Sequence, residues 1–103
     1  MNMTVLLFIE WDNPLESERM DKYRKFTHES TFWEDQVNEG TLERFNSWAD
    51  TTNSRHIVFL AEFEDWNKLA TLMGSKRFQR GAREFAYMVD NLKYRLMRPT
   101  VPV

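Results

Sequence analysis

The run HIVFLAEF, residues 56 to 63, constrains this chain most. It is rich in β-branched and aromatic residues. It is far shorter than the roughly 20 apolar residues that a membrane-crossing helix needs. VLLFIEW, residues 5 to 11, has the same character and also reads as a strand. The apolar start at MTVLLFI has no basic residues before it and no small-residue cleavage site after it, so no signal peptide and no membrane partner are expected.

Helical spacing fills the gaps between strands. After DNP, Asn13 is expected as an N-cap, Pro14 as the first helical residue and Glu16 as the far member of a capping box. A helix is predicted over residues 14 to 38, with Met20, Tyr23, Phe26, Ser30, Trp33 and Val37 on one face, ending at Gly40. At about 100° per residue, His28 and Phe32 fall on the opposite, outer face. LERFNSWA, 42 to 49, is predicted as a strand that joins HIVFLAEF through the turn chemistry of DTTNS. Asp65 then caps a helical region over 66 to 91. Its face with Leu69, Leu72 and Met73 is opposite the one with Phe78, Phe85, Val89 and Leu92. That conflict predicts a break at Gly74, with Ser75 capping the second piece. KYRLMR, 93 to 98, reads as a last strand, followed by an extended tail at Pro99 and Pro102.

The order is βαββαβ. It predicts an α+β, ferredoxin-like single domain over residues 1 to 103, with a four-stranded antiparallel sheet and both helical regions on one face. Strands 1 and 3 should be central neighbours. A pairing that sets Leu7 beside Phe59 and Ile9 beside Ile57 makes one wholly apolar face. The other face then pairs Leu6 with Leu60, Phe8 with Val58, and Glu10 with His56. This mixed face is still too apolar to stay wet, and an identical subunit is the simplest cover.

Balanced charge, 14 basic against 16 acidic residues, argues against a nucleic-acid partner. The absence of cysteine removes disulfides, thiolate chemistry and cysteine metal sites, and fits a cytoplasmic location. The two histidines are 28 residues apart in no known ligand spacing, so no metal is expected. There is no P-loop, dinucleotide glycine fingerprint or nucleophile elbow, and no cofactor is expected.

The βαββαβ order, the strand-ending FED at 63 to 65 and the broken helix around MGSKRF resemble the dimeric α/β-barrel superfamily. That group includes antibiotic-biosynthesis monooxygenase-like proteins, haem-degrading monooxygenases, and small isomerases and cyclases. The resemblance implies a homodimer in which two sheets pack as a barrel, with a pocket between each sheet and its helices. Haem-degrading members carry a histidine ligand four positions after a phenylalanine of the second helix. Matching that phenylalanine to Phe78 puts Ala82 at the ligand position, so the haem ligand is missing.

The candidate catalytic residues are His56 and Glu10, because a carboxylate beside an imidazole orients it and raises its basicity. The same pair also fits a polar rim of a subunit interface. Trp11, Tyr23 and Trp66 are candidates for lining a pocket for a hydrophobic aromatic molecule, or else for ordinary core packing. Arg44, like Arg95, offers a planar donor fork to a substrate carboxylate or enolate, or else makes an interface or edge salt bridge. These residues fit two functions. One is a cofactor-independent monooxygenase-, isomerase- or cyclase-like enzyme acting on a hydrophobic aromatic molecule. The other is a non-catalytic ligand-binding or structural dimer.

Overall fold

The computed structural model describes residues 4 to 100. Met3 of the first apolar run and Pro102 of the tail lie outside the described residues. The elements are β1 (Val5–Asp12), α1 (Ser17–Glu29), α2 (Phe32–Asn38), β2 (Arg44–Asp50), β3 (Asn53–Phe63), α3 (Trp66–Gly74), α4 (Lys76–Met88) and β4 (Asp90–Met97). The four strands form one antiparallel sheet in the order β2-β3-β1-β4. This is the ferredoxin-like arrangement that the sequence predicts.

Strict alternation builds the core. Val5, Leu7, Ile9 and Trp11 are buried along β1 while the residues between them are half-exposed. Phe59, Ala61 and Phe63 of β3 share that face. Phe32 of α2, Leu69 and Leu72 of α3, and Leu42 and Val89 from the connections complete the core.

The pairing of β1 with β3 differs from the expected one by two residues. Ile9 stands opposite Phe59, Trp11 opposite Ile57, and Asp12 opposite His56. A shift of two keeps every side chain on its face, because side chains alternate with period two. The division into an apolar and a mixed face therefore stands, but individual neighbours change.

The predicted helix over 14 to 38 is two helices. Thr27 bonds back to the Tyr23 carbonyl at 3.0 Å. Ser30 then takes an extended backbone (φ −74°, ψ 127°) that ends α1. A hydroxyl competing for backbone partners weakens a helix at this point. The break re-aims the next helical turn, so Phe32 is buried at 9 % exposure instead of lying outside, while His28 is exposed. The expected capping box also differs. The N-cap is Glu16 and makes no side-chain cap bond. Asn13 serves the preceding loop: its amide donates to the Arg55 carbonyl at 2.8 Å, and its carbonyl accepts from the Arg55 guanidinium.

Gly40 ends α2 at φ +81°, a conformation that suits glycine. The Gly40 and Thr41 amides donate to the Val37 and Gln36 carbonyls, which is a Schellman closure. Asp65 caps α3 by accepting from the Lys68 amide at 2.9 Å. Ser75 caps α4 by accepting from the Phe78 amide at 3.1 Å. The predicted break at Gly74 and Ser75 is thus present. It lets α3 bury Leu69 and Leu72 while α4 turns Phe78 and Phe85 toward the sheet.

Candidate functional site: an aromatic cavity between sheet and helices

A cavity of about 560 Å³ lies between the apolar face of the sheet and the helices. Each element contributes by its own periodicity. Strands supply every second residue: Ile9 and Trp11 from β1, Phe45 and Ser47 from β2, Ile57 and Phe59 from β3. Tyr94 of β4, the partner of Ile9, completes the floor. Helical spacing supplies Tyr23 and Phe26 from α1, and Phe78, Gly81, Ala82 and Phe85 from α4. The break at Ser30 brings in Phe32 and Trp33 of α2.

The rings hold one another in place. Phe85 meets Trp11 edge-on at 4.8 Å and lies 6.0 Å from Tyr23 and 5.8 Å from Phe26. Trp33 packs 4.6 Å from Phe59 and edge-on, at 4.9 Å, to Phe32. Edge-on and tilted pairs set positive ring edges against negative faces, which favours fixed over sliding contacts.

Polar side chains interrupt the aromatic wall, among them Tyr23, Ser47, Arg77, Arg80 and Tyr94. Trp11 Nε1 donates to Asn13 Oδ1 at 3.2 Å and to the Tyr23 hydroxyl oxygen at 3.3 Å. Burial holds the Tyr23 phenol above its usual pKa, partly offset by the bond from Trp11. Burial also raises that of Tyr94. Both phenols therefore keep their protons at neutral pH and can donate hydrogen bonds. Between α2 and α4, Arg77 pairs with Asp35 at 2.8 Å and lies over the Phe32 ring, 5.2 Å from its centroid. Thr31 Oγ1 donates to the same Asp35 carboxylate at 3.1 Å. These bonds tie α2 to α4 beside the cavity.

His56 and Glu10 are in contact, 3.3 Å apart, but they do not line this cavity. They lie on the opposite, even-numbered face of the sheet. The nearer partner of His56 is Asp12, whose Oδ1 is 2.9 Å from Nδ1. Asp12 also accepts from Asn91 at 2.8 Å, and Glu10 also pairs with Arg95 at 3.2 Å. The hydrogen bond to Asp12, aided by the one to Glu10, raises the His56 pKa. The imidazolium is the form that suits two carboxylates, since only then do both ring nitrogens donate. A charged histidine is a poor general base. Asp12 was missed because its place beside His56 depends on the two-residue shift in register.

The remaining candidates separate. Trp11 and Tyr23 line the cavity. Trp66 does not: it is the first residue of α3, 44 % exposed. Arg44 is also outside, on the even-numbered face, where its Nε meets Glu62 Oε2 at 3.1 Å. Ala82, at the position where haem-degrading proteins would carry a histidine, lines the cavity wall. Among the described residues, no group of three or more histidines, cysteines or carboxylates could hold a metal, and no helix is long and apolar enough to cross a membrane.

No protein-family model matches the sequence, and no curated protein matches it. Solved structures do match in shape. A conserved protein from Methanosarcina mazei superposes with a TM-score of 0.77 at 12 % identity, covering 95 % of this chain and 94 % of that one. An antibiotic biosynthesis monooxygenase superposes at 0.66 and 18 % identity, over 95 % of this chain and 99 % of that one. A dimeric protein of unknown function with a ferredoxin-like fold, from Bacteroides fragilis, does so at 0.66 and 7 % identity, over 92 % and 95 %. The chain thus has the ferredoxin-like fold of the antibiotic-biosynthesis monooxygenase-like proteins. At these identities the likeness is one of fold.

Proposed function

We propose that this protein is a cytoplasmic homodimer that takes up a hydrophobic, aromatic small molecule in the cavity between its sheet and its helices. The observation that carries this reading is the cavity itself: about 560 Å³, walled largely by aromatic rings, with two protonated phenols among its polar groups. Ligand sites are typically concave, largely apolar and marked by a small number of polar groups. The chemistry that suits such a site is oxygenation, isomerisation or cyclisation of the ligand's own conjugated system. In such reactions a phenol would donate to an oxygen on which negative charge develops.

The homodimer is supported by the other face of the sheet. Leu6, Phe8, Val58 and Leu60 run down its middle, with Trp48 at 51 % and Met97 at 42 % exposure beside them. Six apolar side chains on one flat face are a covered surface in most soluble proteins. The Bacteroides fragilis protein of the same fold is described as dimeric.

A second reading, ligand binding without turnover, is favoured by one observation. His56, with its two carboxylates, faces away from the cavity. One experiment separates the readings. Oxidisable polycyclic phenols are incubated with the protein alone in air and followed by absorbance. Turnover that disappears when Ala82→Trp fills the cavity supports the enzyme. Saturable binding without turnover supports the second reading. Turnover that survives Ala82→Trp would rule out this cavity as the site.

A further inference from the structure

The Tyr23 hydroxyl is a donor with no acceptor among the described residues. Its oxygen accepts from Trp11 Nε1 at 3.3 Å. No described residue accepts from the hydroxyl in return. A phenol has one proton to give, and a bond received on the oxygen leaves that proton to point elsewhere. Tyr23 lines the cavity, with Phe85 and Phe26 on the same side. Water can satisfy this hydroxyl when the cavity is empty. A bound hydrocarbon would displace that water and leave a half-buried hydroxyl unsatisfied, which costs binding free energy.

Tyr94 is the other phenol of the cavity. It stands on the edge strand β4 and is 41 % exposed. Among the described residues no donor fixes its hydroxyl oxygen as Trp11 fixes that of Tyr23.

We propose that Tyr23, positioned by Trp11, is the ligand-selecting donor of this cavity, and that the ligand is a flat aromatic molecule presenting a carbonyl-type oxygen to it. This rests on the cavity being a ligand site, the function proposed for it. Trp11 is a positioning residue: it fixes the phenol oxygen, and its own indole N–H is taken up by Tyr23 and Asn13.

The probes are 9-fluorenone and fluorene, which share a skeleton and differ at one carbon, carbonyl against methylene. Binding is followed by quenching of tryptophan fluorescence, since Trp33 lines the cavity. A neutral hydrogen bond gained only by the ketone makes fluorenone bind about five- to tenfold more tightly than fluorene in the unaltered protein. Tyr23→Phe should bring the two affinities within about twofold, with fluorene still bound as proof of an intact cavity. Trp11→Phe, which keeps an aromatic ring but loses the N–H donor and part of the ring volume, should leave an intermediate ratio. It carries the test if Tyr23→Phe does not fold. Equal affinities in the unaltered protein, or a preference that survives Tyr23→Phe, would overturn the donor role while leaving the cavity reading intact. A preference lost in Tyr94→Phe alone would overturn it too. If neither probe binds, both readings fall.

Discussion

His56 Nδ1 stands 2.9 Å from Asp12 Oδ1, and this bond ties the end of β1 to β3 on the face of the sheet away from the cavity. Glu10 reaches the other ring nitrogen at 3.3 Å. The His56 pKa is raised in the folded protein, so the stabilisation it brings is fully present below its unfolded value, about 6.5. It is lost as pH rises through the higher folded value. The Asp12 carboxyl is held below its usual range by Asn91 and His56, so its contribution is present above its unfolded pKa and lost as pH falls through the folded one. We expect urea midpoints to be highest between these two limits and to fall from near neutrality into the alkaline range. In His56→Gln the alkaline fall should flatten. An unchanged slope in that variant would show that another group titrates.

The break at Ser30 makes a sharp contrast between two neighbours. Phe32 is buried among Trp33, Phe78 and the Arg77 guanidinium, whereas His28 is exposed. Phe32→Ala should cost about 3–5 kcal/mol of stability by loss of burial and cavity formation. His28→Ala should stay within about 0.5 kcal/mol of the parent. Chemical denaturation measures both. Similar values for the two would restore the continuous helix that the sequence spacing suggests.

Much of the fold was legible because its signals are local. Asp65, Ser75 and Gly40 each end or start a helix through bonds within a few residues, and the alternation of β1 and β3 assigns faces without knowledge of register. Two features were not legible. The interruption at Ser30 depends on hydroxyls of Thr27 and Ser30 competing for backbone groups, and these residues also occur within intact helices. The place of Asp12 depends on register, which is set by packing between strands far apart in sequence. The cavity was half visible. Trp11 and Tyr23 stood out as candidates. Phe45 and Tyr94 needed the registers of β2 and β4, although once these are known simple alternation finds them.

Ser75 connects stability to the site, because it starts the helix that carries Phe78 and Phe85. Ser75→Ala should destabilise the protein by about 1 kcal/mol through loss of the N-cap bond. It should also weaken ligand binding, since the first turn of α4 holds part of the wall. Denaturation and probe titration on the same preparation test both. A full loss of stability with unaltered binding would separate α4 from the site.

The proposed dimer has its own test at Leu60, in the middle of the mixed face beside Asn46 and Phe8. Leu60→Asp should give a monomer by sedimentation at micromolar concentration, since a charge in a dry contact has no partner there. A parent protein that is monomeric under these conditions would remove the dimer from the account.

The central claim is that the space between sheet and helices is a ligand site. Its most direct measurement is an equilibrium titration of the parent protein and Ala82→Trp with 9-fluorenone, read by tryptophan quenching and by calorimetry. We expect saturable binding at one molecule per chain in the parent, and at least about a tenfold loss in Ala82→Trp, whose indole would occupy the cavity. Absence of saturable binding in the parent, or equal affinity in the two proteins, would contradict the claim.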